Sequence, residues 1–192
     1  MKYWNLYSKN LSYVSHDQVL APQQCQRIIE QAEKLVSMSA HVGNKEDVDD
    51  TIRQGEISWL DPDQESWHWL YKLISDRVLA INERYWKFDI DRLESLQFTK
   101  YFRQGDHYAD HTDFSDTGST VYRKLSFSCQ LTDPSLYQEC DLEICLGSTW
   151  KKANRNLGSI TVFPSWQLHR VTSLESGHRY SLVGWMSGPC FK

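Results

Sequence analysis

His111, Thr112 and Asp113 put an imidazole and a carboxylate on alternate positions of the chain. In an extended segment, residues i and i+2 point to the same face, so both side chains can reach one metal ion. A mononuclear iron site of the two-His, one-carboxylate kind needs a second imidazole and open positions for other ligands. His169, in the stretch from Phe163 to Val171, is the candidate for that imidazole. Ten residues further on, Arg179 and Ser181 again share one face of an extended segment. The guanidinium fork matches two carboxylate oxygens, which suits Arg179 to an acidic ligand, and the Ser181 hydroxyl can add a bond to the same group. A buried Arg also needs a paired anion.

With seven His and fifteen Asp in 192 residues, chance supplies about half a His-x-Asp pair, so the pair alone is a weak signal. Its weight comes from the order: His-x-Asp, a long gap, His, then Arg-x-Ser. In that order the chain resembles the iron(II)- and 2-oxoglutarate-dependent dioxygenases of the prolyl 4-hydroxylase-like branch. The resemblance covers roughly Gln97 to Met186. It includes a Tyr ten residues before the first His (Tyr101), an aromatic residue three before it (Tyr108) and a Trp six after the Arg (Trp185).

The resemblance implies that His111, Asp113 and His169 bind Fe(II). Arg179, helped by Ser181 and Tyr101, would bind the distal carboxylate of 2-oxoglutarate. O2 is the further co-substrate, and ascorbate is a further cofactor of the family. The implied reaction is hydroxylation of an unactivated C–H bond on a peptidyl residue such as proline, coupled to decarboxylation of 2-oxoglutarate to succinate. The substrate would be a peptide, a protein or a small molecule, with Tyr108, Arg53, Trp59 and Trp185 as candidate contacts. The alternative is a non-catalytic jelly-roll module that binds or senses a metal. Many relatives carry a Gly-Gly pair where this chain has Glu139 and Cys140. Losing both Gly removes easy access to positive φ, so the turn there is expected to be rebuilt.

The elements that must position these groups follow from pattern. A helix is expected from Pro22 to Val36, with Cys25, Ile28, Ile29, Ala32, Leu35 and Val36 on one apolar face. The segment from Ser37 to Ser58 loses periodicity and contains an acidic run from Glu46 to Asp50. It reads as a long polar loop, and its part from about Ser39 to Ile57 is expected to cover the pocket mouth as a lid. A second helix is expected to begin at Asp61 as N-cap with Pro62 in its first turn, carrying Trp67, Leu70, Ile74, Val78, Ile81 and Tyr85 inward. From Leu93 onward short alternating segments separated by turns predict strands. The fold class is therefore mainly β with N-terminal helices (α+β), built on a double-stranded β-helix, or jelly roll. A single domain is expected over 1–192, with 1–92 mainly helical support and lid loop and 93–192 the jelly-roll core.

Composition narrows the function classes. The net charge of −4 and the lack of a basic cluster give no reason to expect a nucleic-acid partner. No window approaches the ~20 apolar residues of a membrane span, and the first residues lack a signal-peptide pattern. Five Cys without a Cys-x-x-Cys pair read as reduced thiols of a cytoplasmic protein.

Overall fold

The computed structural model describes residues 11–40 and 51–191. In chain order the strands are β1 (Val14–His16), β2 (Met38–Ser39), β3 (Arg53–Gln54), β4 (Glu56–Leu60), β5 (Arg92–Leu93), β6 (Leu96–Tyr101), β7 (His107–His111) and β8 (Arg123–Gln130). They continue with β9 (Tyr137–Glu139), β10 (Leu142–Leu146), β11 (Thr149–Lys152), β12 (Ile160–Pro164), β13 (His169–Val171), β14 (Leu174–Gly177) and β15 (Arg179–Ser187). Two helices, α1 (Pro22–Ala32) and α2 (Glu65–Tyr85), precede β5. The major sheet runs β1-β12-β8-β15-β6-β4-β2, with β5 also pairing β15, and the minor sheet runs β11-β10-β13-β7-β3. All these pairings are antiparallel, and a jelly-roll core results.

Period-2 alternation assigns each face of the major sheet. Leu96, Phe98, Phe127, Leu182 and Met186 point to one side, where they form the main core with Ile28 of α1 and Trp67, Leu70, Ile74, Val78 and Ile81 of α2. Tyr101, Gln130, Arg179 and Ser181 point to the other side, toward the minor sheet. The helices thus give the sheet a rigid apolar backing and leave its polar face free for a site.

Several elements depart from the sequence expectation. Helix α1 stops at Ala32 because 3₁₀-type bonds from Lys34 and Leu35 close its end, and Val36 is left 84% exposed. Helix α2 begins at Glu65 with Gln64 as N-cap. Asp61 instead accepts a bond from the Asp63 N–H at 3.0 Å in a turn of its own, the usual competition between an Asx turn and a cap. The expected loop over 37–58 holds paired strands: β4 joins the major sheet beside β6, and β3 joins the minor sheet beside β7. The acidic run of the expected lid lies at 46–50, outside the described residues. At the turn expected to be rebuilt, Glu139 and Cys140 both adopt the left-handed conformation, at φ 57° and 55°, without glycine. Gly158 turns the chain ahead of β12 at φ +74°, where a Cβ would collide with the Leu20 carbonyl.

Candidate metal and co-substrate site

A cavity of about 390 Å³ lies between the two sheets. His111 ends β7 and His169 begins β13, and the two are direct partners across the minor sheet. Asp113 lies just past β7, where its backbone N–H donates to the Ser165 carbonyl at 2.9 Å. Backbone pairing therefore brings together groups 58 residues apart in sequence. One ligand atom from each of the three lies within 4.8 Å of the others. His111 Nε2 is 3.8 Å from Asp113 Oδ1, and His169 Nε2 is 3.5 Å from Oδ2. These separations exceed hydrogen-bond length and leave room for an ion held at about 2.0–2.2 Å from each donor.

The imidazoles are oriented for that task. His111 Nδ1 bonds the Ala109 carbonyl at 2.7 Å, and His169 Nδ1 bonds the Gln167 carbonyl at 2.9 Å. A carbonyl can only accept, so each Nδ1 carries the proton and each Nε2 presents its lone pair to the cavity. Burial, aided by the neighbouring His169, pushes the His111 pKa down to about 3, so the ring is neutral at physiological pH. Burial acts to raise the Asp113 pKa, but His169 and His111, with Ser126 and Trp185, outweigh it and hold the carboxyl below its ordinary value. Stacking fixes the ligand rings further. Tyr108 lies on His111 with centroids 3.5 Å apart, and Phe163 abuts His169 at 4.6 Å.

Arg179 opens β15 and is 2% exposed. Its Nε donates to Gln130 Oε1 at 3.0 Å, and its buried Nη1 has no partner. Cys140 lies beside the guanidinium, but burial pushes that thiol up to about 11, so it is neutral and supplies no counter-charge. Tyr101, paired with Arg179 across β6 and β15, has its phenol raised by burial and is neutral as well. Ser181 is buried two positions along the same face. A buried cation with one orphaned donor, a hydroxyl and a phenol is the environment that a carboxylate fits. The donor set of two imidazoles and one carboxylate fits a divalent ion with free positions.

The other expected contacts also line the cavity: Arg53, Trp59, Tyr108 and Trp185. Trp59 and Trp185 face each other at 6.2 Å. His107 stays outside the cluster, since its nitrogens lie against the carbonyls of Gly105 and Thr51. Sequence reasoning missed Gln97, Gln130 and Arg123. Gln97 and Gln130 are buried amides that bond Arg53 and Arg179, and Arg123 chelates Glu94 at 2.8–3.2 Å while stacking 4.0 Å over Trp185. The signal available in the sequence is phase: Gln97 is in phase with Tyr101 on the cavity side of β6, and Gln130 is in phase with Ser128 on that side of β8.

Solved prolyl hydroxylases share this fold. The Pseudomonas putida prolyl-4-hydroxylase superimposes with a TM-score of 0.70 at 20% identity, covering 93% of both chains. A Trichoplax adhaerens prolyl hydroxylase, solved with a hypoxia inducible factor oxygen degradation domain peptide fragment, gives 0.76 at 16% identity over 93% of this chain and 84% of that one. Among curated sequences, a PKHD-type hydroxylase of Synechococcus elongatus is 38% identical over 99 residues, which is 50% of this chain and 44% of the relative. One from Hyphomonas neptunium is 36% identical over 86 residues, 43% of this chain and 38% of the relative. The chain thus spans less than half the length of these curated relatives. Residues 96–187 match the 2OG-Fe(II) oxygenase superfamily. Over these residues, just under half of the chain, it is similar to that superfamily, and the relatives and solved structures above are named as hydroxylases.

Proposed function

We propose that the chain is a single-domain Fe(II)- and 2-oxoglutarate-dependent dioxygenase that hydroxylates an unactivated C–H bond, on a peptidyl residue such as proline. The observation that carries this reading is one cavity holding both a convergent His-Asp-His set and a buried Arg179 that has no counter-ion among the described residues. In this reading His111, Asp113 and His169 hold the iron, which supplies the redox chemistry that activates O2. Arg179 pairs with the distal carboxylate of 2-oxoglutarate, and the Ser181 and Tyr101 hydroxyls donate to the same ligand. Gln130 fixes the plane of the guanidinium, and Tyr108 keeps the His111 ring from turning. The Trp59 and Trp185 faces shield the reacting region from water and give the substrate an apolar surface. Among the described residues no helix is long and apolar enough to cross a membrane. All five cysteines are free, which suits a reducing, cytoplasmic setting.

The test is succinate release from 2-oxoglutarate by protein loaded with Fe(II), with ascorbate as reductant, across proline peptides and small-molecule candidates. Iron- and O2-dependent succinate formation is expected even without the right acceptor. If the wild type binds iron but forms no succinate under any condition, the non-catalytic metal-binding module replaces this reading.

A further inference from the structure

We infer that the primary substrate carries a carboxylate, and that Arg53 anchors it on the β3 side of the cavity, separately from Arg179. This rests on the oxygenase reading and adds the chemical class of what is hydroxylated. Arg53 reaches the cavity because β3 pairs with β7, with Arg53 opposite Tyr108. Its guanidinium lies 4.4 Å over the Tyr108 ring, and Tyr108 itself is stacked on His111. The cation is therefore two stacking steps from a metal ligand. Nη2 donates to Gln97 Oε1 at 2.9 Å, while Nε is buried and has no partner. Among the described residues Arg53 makes no ion pair, whereas nearby Arg103 and Lys100 both pair with Glu56.

Position separates Arg53 from the co-substrate anchor. Gln97 is paired with Val183, while Arg179 is paired with Tyr101. Along β15 the two backbone levels lie four residues apart, ~13 Å, and the Tyr101 phenol feels both cations, Arg53 ahead of Arg179. The formal charges point the same way. A divalent ion and Arg179 bring three positive charges, and Asp113 and a 2-oxoglutarate dianion bring three negative ones. Arg123 is neutralised by Glu94. Among the described residues Arg53 is the cation left over, in a cavity whose other walls are largely aromatic and aliphatic. A guanidinium with a buried free N–H in such surroundings favours an anion, and a planar carboxylate suits its fork. The Tyr108 face below and the Trp59–Trp185 pair alongside would hold the apolar part of the same substrate near the metal ligands.

The carboxylate could belong to a free or N-acylated amino acid, or to an acidic side chain beside the target residue in a peptide. Both sources are tested by calorimetry under argon, with protein loaded with Fe(II) and 2-oxoglutarate so that no turnover occurs. The panel consists of matched pairs: N-acetyl amino acids against their amides, and blocked proline peptides bearing Asp against the same peptides bearing Asn. In the wild type at least one carboxylate is expected to bind about 10- to 100-fold more tightly than its amide, the range for a charged hydrogen bond. The pair that discriminates identifies the source. Arg53→Gln is expected to bring that ratio close to one, and Arg53→Lys, which keeps the charge but not the fork, to retain part of it. No carboxylate preference anywhere in the panel, or one that survives Arg53→Gln, overturns the inference. So does an Arg53→Gln variant whose only defect is weaker 2-oxoglutarate binding, since that places Arg53 on the co-substrate. The oxygenase reading is judged separately, by whether the wild type forms succinate.

Discussion

Replacing Arg179 by Met is expected to move stability and co-substrate affinity in opposite directions. The guanidinium is 2% exposed, holds one bond to Gln130 and leaves Nη1 unpaired. Exchanging buried charges for apolar side chains of similar volume is neutral or stabilising by about 1–4 kcal/mol. Leaving Gln130 Oε1 without its donor subtracts about 1 kcal/mol. The ligand-free variant is therefore expected to match the wild type or exceed it by up to ~3 kcal/mol. At about 2–4 °C per kcal/mol for a chain of this size, that is a rise of up to ~10 °C in Tm. Binding goes the other way. Removing one partner of a buried charged pair costs about 3–5 kcal/mol, so the Kd for 2-oxoglutarate rises by about two to three and a half orders of magnitude. The assay is thermal denaturation of metal-loaded protein across a 2-oxoglutarate series, without O2. At a concentration 100 times its Kd, the wild type gains about 2.7 kcal/mol, and the variant gains almost nothing at the same concentration. Tyr101→Phe is the graded control: it removes one hydroxyl and is expected to weaken binding about tenfold or less. An Arg179→Met protein that is less stable without ligand, yet shifted by 2-oxoglutarate like the wild type, would refute the reasoning. The guanidinium would then be structural and the dicarboxylate bound elsewhere.

Asp113→Ala is expected to lose iron on dialysis and to form no succinate; stoichiometric iron by elemental analysis would remove this carboxylate from the ligand set. In metal-free protein His111 titrates at about 3 instead of near 6.5, so between those values the unfolded chain binds a proton that the folded chain does not. Its contribution is present above pH 6.5 and is lost as pH falls toward 3, by up to ~1.4 kcal/mol per pH unit. Urea denaturation at pH 7, 6 and 5 is expected to show a shallower decline in His111→Gln, and equal slopes would contradict the assignment. Glu139→Gly relieves a left-handed non-glycine residue, worth about 1–2 kcal/mol. Against that stand a Gly entropy cost of about 0.5–1 kcal/mol and the loss of a half-exposed ion pair with Lys152 worth about 0–1 kcal/mol. The Tm is expected to hold or rise by a few degrees, and a clear fall would show that the Glu139 side chain holds the turn.

Cys140 shows why that turn tolerates its conformation. It is fully buried against Tyr101 and Tyr137 in the smaller core, beside Arg179. Packing around the thiol over-determines the backbone there, and strain of about 1–3 kcal/mol can persist where surroundings do so. Propensity alone predicted that a chain lacking glycine would take another path. It judged the two residues without the neighbours that hold them in place.

What the sequence determined by itself is what spacing and periodicity encode. The two-residue interval in His111 and Asp113, the ten-residue interval from His169 to Arg179, and the inward phase of Arg179 and Ser181 are local properties, because alternation along a strand fixes which face a side chain takes. The buried stripe of α2 is legible for the same reason: five of its six expected apolar positions are buried, and Tyr85 is partly so. Tertiary structure decided which strands meet. Nothing near residue 53 states that it pairs with Tyr108, and only that pairing carries Arg53 over the ring that backs His111. Gln130 reaches Arg179 across 49 residues, and Glu94 reaches Arg123 across 29. Backbone hydrogen bonds in a sheet are the same for every residue type, so partner choice is settled by which arrangement buries all the apolar faces at once. The candidate ligands could be read one segment at a time, whereas the groups that orient them, and the cation left without an ion pair among the described residues, emerge only when the whole core closes.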